Sequence, residues 1–333
     1  MKCYRLSAAQ EYSGAQSNLG LMYANGQGVA RDYVQAAKWF RLAAEQGMEA
    51  AQFNLGLLYY NGQGVLQAYV EAAKWFRLAA EQKNVDAQSN LGAMYANGQG
   101  VIQDFVQAHM WYSLAAEQGD ADAVNNLDIA ASMMNVQQIA EAHFNLGAMY
   151  DKGQGVSQDS TQAVKWYRLA AEKGNSRAQF NLGVTYDNGQ DGLQDTDGAV
   201  KWWKLAAAQG DSSAQNLLGK YYEIGRGMVQ SHAEACRLYR LAAGQGHARA
   251  QNNLGLMYAK GEGVIADIVQ AHVWFSLASE QGDADAVKNC DIAASIMSVA
   301  QIAEAQKLAR EESASIRHQV ERVALRDLLR QDR

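Results

Sequence analysis

The sequence predicts an all-α array of stacked helical pairs, and three observations carry that prediction. Leu-Gly pairs recur every 36 residues, at Leu19-Gly20, Leu55-Gly56 and Leu91-Gly92, and again at Leu146-Gly147, Leu182-Gly183, Leu218-Gly219 and Leu254-Gly255. Self-similarity at a period of about 20–50 residues marks repeat architectures, in which each unit buries its apolar face against its neighbours. Within each unit the apolar residues follow helical spacing, and glycine and capping signals divide the unit into two helices.

The chain opens on KCYRLSAAQ from Lys2, which aligns with KWFRLAAEQ from Lys38 at the same 36-residue offset. Its first element is therefore expected to be the second helix of a unit without its partner. The first full unit runs from Ala15 to Gly47, and there Ala15, Leu19, Met22 and Tyr23 form one stripe of a helix A. Asn25-Gly26 ends that helix with residues that tolerate a left-handed backbone. After the loop GQGV, Asp32 followed by Gln35 reads as the cap of a helix B, whose buried face is Ala36, Trp39, Phe40, Ala43 and Ala44 and which stops at Gly47. Further units begin at Ala51, Ala87, Ala142, Ala178, Ala214 and Ala250, with caps at Asp104, Asp159, Ser231 and Asp267. The core tryptophan recurs as Trp39, Trp75, Trp111, Trp166, Trp202 and Trp274, with Leu238 in the sixth unit.

Between the third and fourth Leu-Gly pairs the gap is 55 residues, one period of 36 plus 19 more. Those extra residues belong to a duplicated segment, since Val101 to Ala142 closely matches Val264 to Ala305. An ending thus stands in the middle of the chain, as expected if two shorter arrays were fused within the shared Ala-Glu-Ala. The expected organisation is a first array over 1–141, a second over 142–312 and an amphipathic C-terminal helix over 313–333. Asn135 with Gln138 reads as a capping box for a helix running from Val136 unbroken to Tyr150.

The pattern A-x-x-x-L-G-x-x-Y-x-x-G-x-G-V followed by D-x-x-x-A-x-x-W-x-x-x-A-A-x-x-G resembles the Sel-one-like repeat family, relatives of the tetratricopeptide repeats. The resemblance implies a right-handed α-solenoid of seven 36-residue helix-turn-helix repeats, with an internal and a C-terminal capping segment, used as an adaptor surface without catalysis. The capping segments are Met- and Ala-rich helices leading into Gln-Ile-Ala-Glu-Ala. Family members often carry proline after the loop valine. This chain has Ala30, Leu66, Ile102, Ser157, Leu193, Val229 and Ile265 there, and no proline anywhere. The paired cysteines that staple some family members are also missing, which weighs against the penicillin-binding, β-lactamase-like branch.

Composition narrows the function further. A net charge of −6 with mixed signs and no basic stripe argues against nucleic acid. No run of about 18 apolar residues is present, so no membrane span is expected. MKCYRLSAAQ lacks a signal-peptide core, which predicts a cytoplasmic chain; a missing upstream segment would instead allow secretion or a periplasmic location. Cys3, Cys236 and Cys290 have no paired spacing, and none of the six histidines has a carboxylate, cysteine or second histidine at ligand spacing on its own helix face. No metal, cofactor or catalytic residue is therefore expected, and the GQG loops read as turns rather than phosphate cradles.

Surface remains. By analogy with tetratricopeptide arrays, helix A lines a concave groove, and its inward positions include Phe53, Asn54 and Tyr60 in the first half and Phe144, Asn145, Phe180 and Asn181 in the second. Asp151, Asp187 and Glu223 share one position in units four to six, predicting an acidic row. The asparagines either pair with the backbone of an extended peptide or tie their own unit together. The expected function is a non-catalytic adaptor for protein or peptide partners, such as a regulatory or assembly factor of bacterial type; a penicillin-binding enzyme and a structural spacer are the alternatives.

Overall fold

The computed structural model describes residue 8 and residues 10–189 and 194–331, which contain seventeen helices and no strand. The chain forms two compact units, Met1–Gly174 and Asn175–Arg333. The first holds α1 Ser13–Asn25, α2 Tyr33–Glu45, α3 Glu49–Asn61, α4 Tyr69–Glu81, α5 Val85–Asn97, α6 Phe105–Glu117, α7 Ala121–Ser132, α8 Val136–Lys152 and α9 Ser160–Glu172. The second holds α10 Ser176–Asn188, α11 Thr196–Ala208, α12 Ser212–Ile224, α13 His232–Ala243, α14 Ala248–Lys260, α15 Ile268–Glu280, α16 Ala284–Ile296 and α17 Val299–Gln331.

The predicted caps form. Asp32, Asp104, Asp159, Ser231 and Asp267 each accept a backbone N–H from the first turn of a helix B, satisfying a donor that the helix leaves open. Asn135 and Gln138 bond reciprocally, and α8 runs unbroken through the expected join at 141/142. The expected boundary at 312/313 likewise lies inside α17.

The Leu-Gly pair has a steric cause. Its leucine is wholly buried, as Leu55 illustrates at 0% exposure. Its glycine admits an aromatic ring from helix B: a Cβ on Gly56 would stand 2.7 Å from two ring carbons of Phe76. Phe40, Tyr112, Tyr167, Trp203, Tyr239 and Phe275 occupy the same place in the other repeats, each buried. The tryptophan position is buried as expected at Trp75, Trp111 and Trp274, but not in every repeat. The ring that closes the A–B pair is the one after the tryptophan position, whereas Trp39, Trp166 and Trp202 are half-buried.

Glutamines form a ladder. Gln46 donates to Gln16, Gln82 to Gln52, Gln118 to Gln88, Gln209 to Gln179, Gln245 to Gln215 and Gln281 to Gln251, at 2.7–2.8 Å. Each of these bonds closes a helix pair, and within a unit the acceptor glutamine reaches on to the preceding pair, as Gln52 Nε2 donates to the Ala44 carbonyl at 3.2 Å. The acceptor residues are buried, so each bond satisfies an amide that would otherwise be stranded. The second loop glycine packs the next contact: a Cβ on Gly64 would lie 2.2 Å from the carbonyl of Tyr33, at the start of the preceding helix B.

The two capping helices are helices A that cannot complete a pair. One period on from Ala87, Leu91 and Gly92 stand Ala123, Leu127 and Asp128 in α7; one period on from Ala250, Leu254 and Gly255 stand Ala286, Cys290 and Asp291 in α16. Aspartate at the glycine site cannot take a ring, and no ordinary helix B follows. Instead α8 packs on α6, and α17 packs on α15 and buries Ile316 near Gly246, in the turn between α13 and α14.

The missing prolines leave a measurable reserve. Leu66, Val229 and Ile265 are 91%, 87% and 90% exposed, and within the described residues their N–H groups donate to nothing. Proline at all three is expected to stabilise the chain by about 1–3 kcal/mol in total, chiefly by restricting the unfolded state. Urea titration checks this; an unchanged or lower midpoint would show that the loops do not accept proline's φ.

Candidate functional site

The inserted helix changes how the fourth repeat is seated. In an ordinary stack the loop glycine meets the first turn of the preceding helix B, as Gly100 meets Tyr69. A Cβ on Gly155 would instead lie 3.4 Å from the Ala80 carbonyl and 3.5 Å from the Trp111 ring. Gln88 Nε2 donates to the Gly155 carbonyl at 2.9 Å, and Lys83 Nζ reaches Ser157 Oγ at 3.2 Å. The loop of the fourth repeat is thus pinned at the end of α4 and the start of α5.

That seating leaves an open cleft of about 1080 Å³ in the first unit, between α4, α6 and α8. Met110, Trp111 and Met149 give it an apolar floor; Gln107, Asn145 and Gln154 present amides, and Arg77 and Glu81 stand at its edge. Arg77 also bonds to the Tyr95 hydroxyl, which fixes that wall. Ile102, 91% exposed, projects from its rim loop.

The sequence-predicted groove residues divide among different roles. Asn145 lines the cleft. Phe53 stacks on Phe76 at 5.7 Å, and Tyr60 meets Tyr69 edge-on while donating to Gln99 at 3.2 Å. Asn54 donates to the Ala50 carbonyl in its own helix, one of the two roles left open for this position. Phe144 packs on Tyr167, and Phe180 packs beside Trp203, whose indole donates to the Phe180 carbonyl; the Asn181 carbonyl accepts from Thr185.

The acids are distributed over both units. Asp151 is exposed in the first. In the second, Asp187 accepts from the Tyr221 hydroxyl, from Arg226 at 2.9 Å and from Thr196 at 3.4 Å, and Glu223 accepts from Tyr239 at 2.7 Å. Burial and the Asp187 carboxylate push the Tyr221 phenol up to about 12. Asp187 and Glu223 therefore already serve bonds inside the fold.

Two clusters escaped the sequence reading because they join different helices. His109 on α6 and His143 on α8 face each other edge-on at 5.8 Å, with the Trp166 ring 5.3 Å from His143. His143 stands where other repeats carry the buried glutamine, and Lys173 where they carry its donor, so this rung of the ladder is replaced. Burial, then His143, holds His109 down to about 4; burial and the Lys173 ammonium hold His143 down to about 4 against an upward pull from the Leu169 carbonyl. In the second unit His272 lies against Cys290 at 3.5 Å. The substitution of histidine for glutamine in an otherwise regular ladder is the signal by which the first cluster could have been found.

Among the described residues no group of three or more His, Cys, Asp or Glu side chains is placed to hold a metal ion, and no helix is long and apolar enough to cross a membrane. The profile of the Sel1 repeat matches residues 13–48, 49–84, 85–120, 140–175, 176–211, 212–247 and 248–283. Among solved structures the chain is similar to a Sel1 repeat protein from Oxalobacter formigenes, with 33% identity over 86% of this chain and 78% of that one and a TM-score of 0.47. It is also similar to a protective antigen of uropathogenic Escherichia coli strains that displays an SLR fold, with 30% identity over 95% of this chain and 87% of that one and a TM-score of 0.38. No curated protein matches the chain.

Proposed function

The chain belongs to the Sel1 repeat family, and from that premise we propose that it is a non-catalytic scaffold holding an extended segment of a partner protein in the junction cleft. Sel1 repeat proteins are generally protein-interaction scaffolds and generally lack catalysis. The observation that carries the finer reading is the cleft itself. Its volume, about 1080 Å³, exceeds the roughly 300–1,000 Å³ usual for small-molecule pockets, and it is open to solvent. Amides from Gln107, Asn145 and Gln154 suit the main chain of an extended peptide, while the Met110, Trp111 and Met149 floor suits an apolar side chain. The net charge of −6 favours protein over nucleic acid.

Peptides selected from a random displayed library against the full chain test this reading. Bound peptide is expected to slow hydrogen exchange in residues 101–111 and 145–154. Ile102→Glu with Asn145→Arg, which alters the cleft without touching the buried core, should weaken binding at least about tenfold, or about 1.4 kcal/mol. Asp151→Asn should leave it unchanged. Equal binding to the altered cleft, with the footprint elsewhere, would defeat the proposal.

A further inference from the structure

The duplicated segment carries a built-in comparison. Its two copies place His109 and His272 at equivalent positions, each with a serine one turn on, Ser113 and Ser276. Opposite them the copies differ: α7 has Leu127 where α16 has Cys290. In the second copy Cys290 Sγ lies 3.5 Å from His272 Nε2, Ser276 Oγ lies 3.2 Å from His272 Nδ1, and Ser276 Oγ lies 3.4 Å from Cys290 Sγ. His272 is buried, and Cys290 is half-buried at the margin of the core, whereas Cys236 is fully buried. The imidazole is thus fixed on both nitrogens, one of them by the thiol.

We propose that Cys290 is a thiol-modification site for low-molecular-weight disulfides, with His272 as its base. A free thiol of ordinary pKa is a few per cent thiolate at neutral pH, so an adjacent base determines how readily it attacks. Burial lowers the pKa of His272, which keeps the imidazole neutral and able to accept a proton. The Cys290 proton passes to His272 Nε2 as the sulfur attacks one sulfur of the disulfide. A bond forms between Cys290 Sγ and that sulfur, the original S–S bond breaks, and the departing thiolate takes the proton from His272. Cys290 is oxidised to the mixed disulfide and one half of the reagent is reduced to its thiol, with no other oxidant needed. Cys236 provides an internal contrast: it is 1% exposed, and burial raises its thiol pKa.

The test uses the full chain with Cys3→Ser, treated with oxidised glutathione and mapped by peptide mass spectrometry. Modification is expected at Cys290 and not at Cys236, and Cys290→Leu, which copies Leu127, should abolish it. An unassisted thiol reacts about tenfold faster per pH unit below its pKa, whereas the Cys290 rate should change less than about threefold between pH 6 and 7 if a neutral base takes the proton. His272→Gln should slow it about tenfold or more and restore the steep profile, with helix content checked by circular dichroism. Because the pH profile of the chain with His272 intact decides the matter alone, an unfolded His272 variant does not rescue the idea. An unreactive Cys290, or a Cys290 rate rising about tenfold per pH unit with His272 present, overturns it.

Discussion

Gly56→Leu is expected to destabilise the first unit by about 3 kcal/mol or more, at the upper end of what overpacking costs, although leucine is the better helix former. A Cβ alone would already stand 2.7 Å from the Phe76 ring, and that ring is 0% exposed, so neither partner has room to retreat. The same change at Asp128, one period beyond Gly92 in the capping helix, should shift stability by less than about 0.5 kcal/mol, because Asp128 is exposed. Urea denaturation followed by far-UV circular dichroism compares the two. The double variant Gly56→Leu with Phe76→Ala separates ring exclusion from a backbone effect, since it should cost less than the two changes added together. Equal costs at 56 and 128 would show that the Leu-Gly glycine serves something other than the ring.

This contrast also indicates which features were legible in the sequence. Helix order, caps and period could be read because they rest on local rules: an aspartate before a helical stripe, a glycine after one, and an interval of 36. The partner of each glycine lies 20 residues away, as Phe76 does from Gly56, and helical periodicity within either helix does not reveal it. The same limit applies to function. Phe53, Phe144 and Phe180 were placed correctly on helix A, but their rings pack against aromatic residues of helix B, and Asp187 and Glu223 already accept from tyrosine hydroxyls. The cleft arises from the seating of the fourth repeat on α6, a tertiary consequence of 19 inserted residues. Asn145, read from the sequence as a helix A surface position, lines this cleft, together with Met110 and Gln107 of a helix B, where the sequence reading placed no surface position.

The chain is expected to lose about 3 kcal/mol of stability between pH 7 and pH 5 through His109 and His143 together. Both imidazoles have folded pKa values of about 4, below the ordinary 6.5. The unfolded chain therefore binds more protons than the folded one throughout this interval, and stability falls as pH falls. The contribution is fully present above pH 6.5 and disappears as pH drops toward 4. A shift of 2.5 units in one group is worth at most about 2 kcal/mol over this window; His109 is buried and takes most of that, while His143 is half-buried and contributes about 1 kcal/mol after solvent screening. The charged and titratable neighbours of the pair are Lys173, which opposes a proton on His143, and the two histidines themselves, which oppose each other. Most carboxylates remain ionised at pH 5, so the window isolates histidine. His143→Gln with Lys173→Gln rebuilds the rung found as Gln52 and Gln82 in the second repeat and removes one proton site and one opposing charge. Unfolding free energies from denaturant titrations at pH 7, 6 and 5 should then fall by about 1–2 kcal/mol less than in the unaltered chain. A parallel decline in both proteins would mean that His143 titrates alike in the folded and unfolded states.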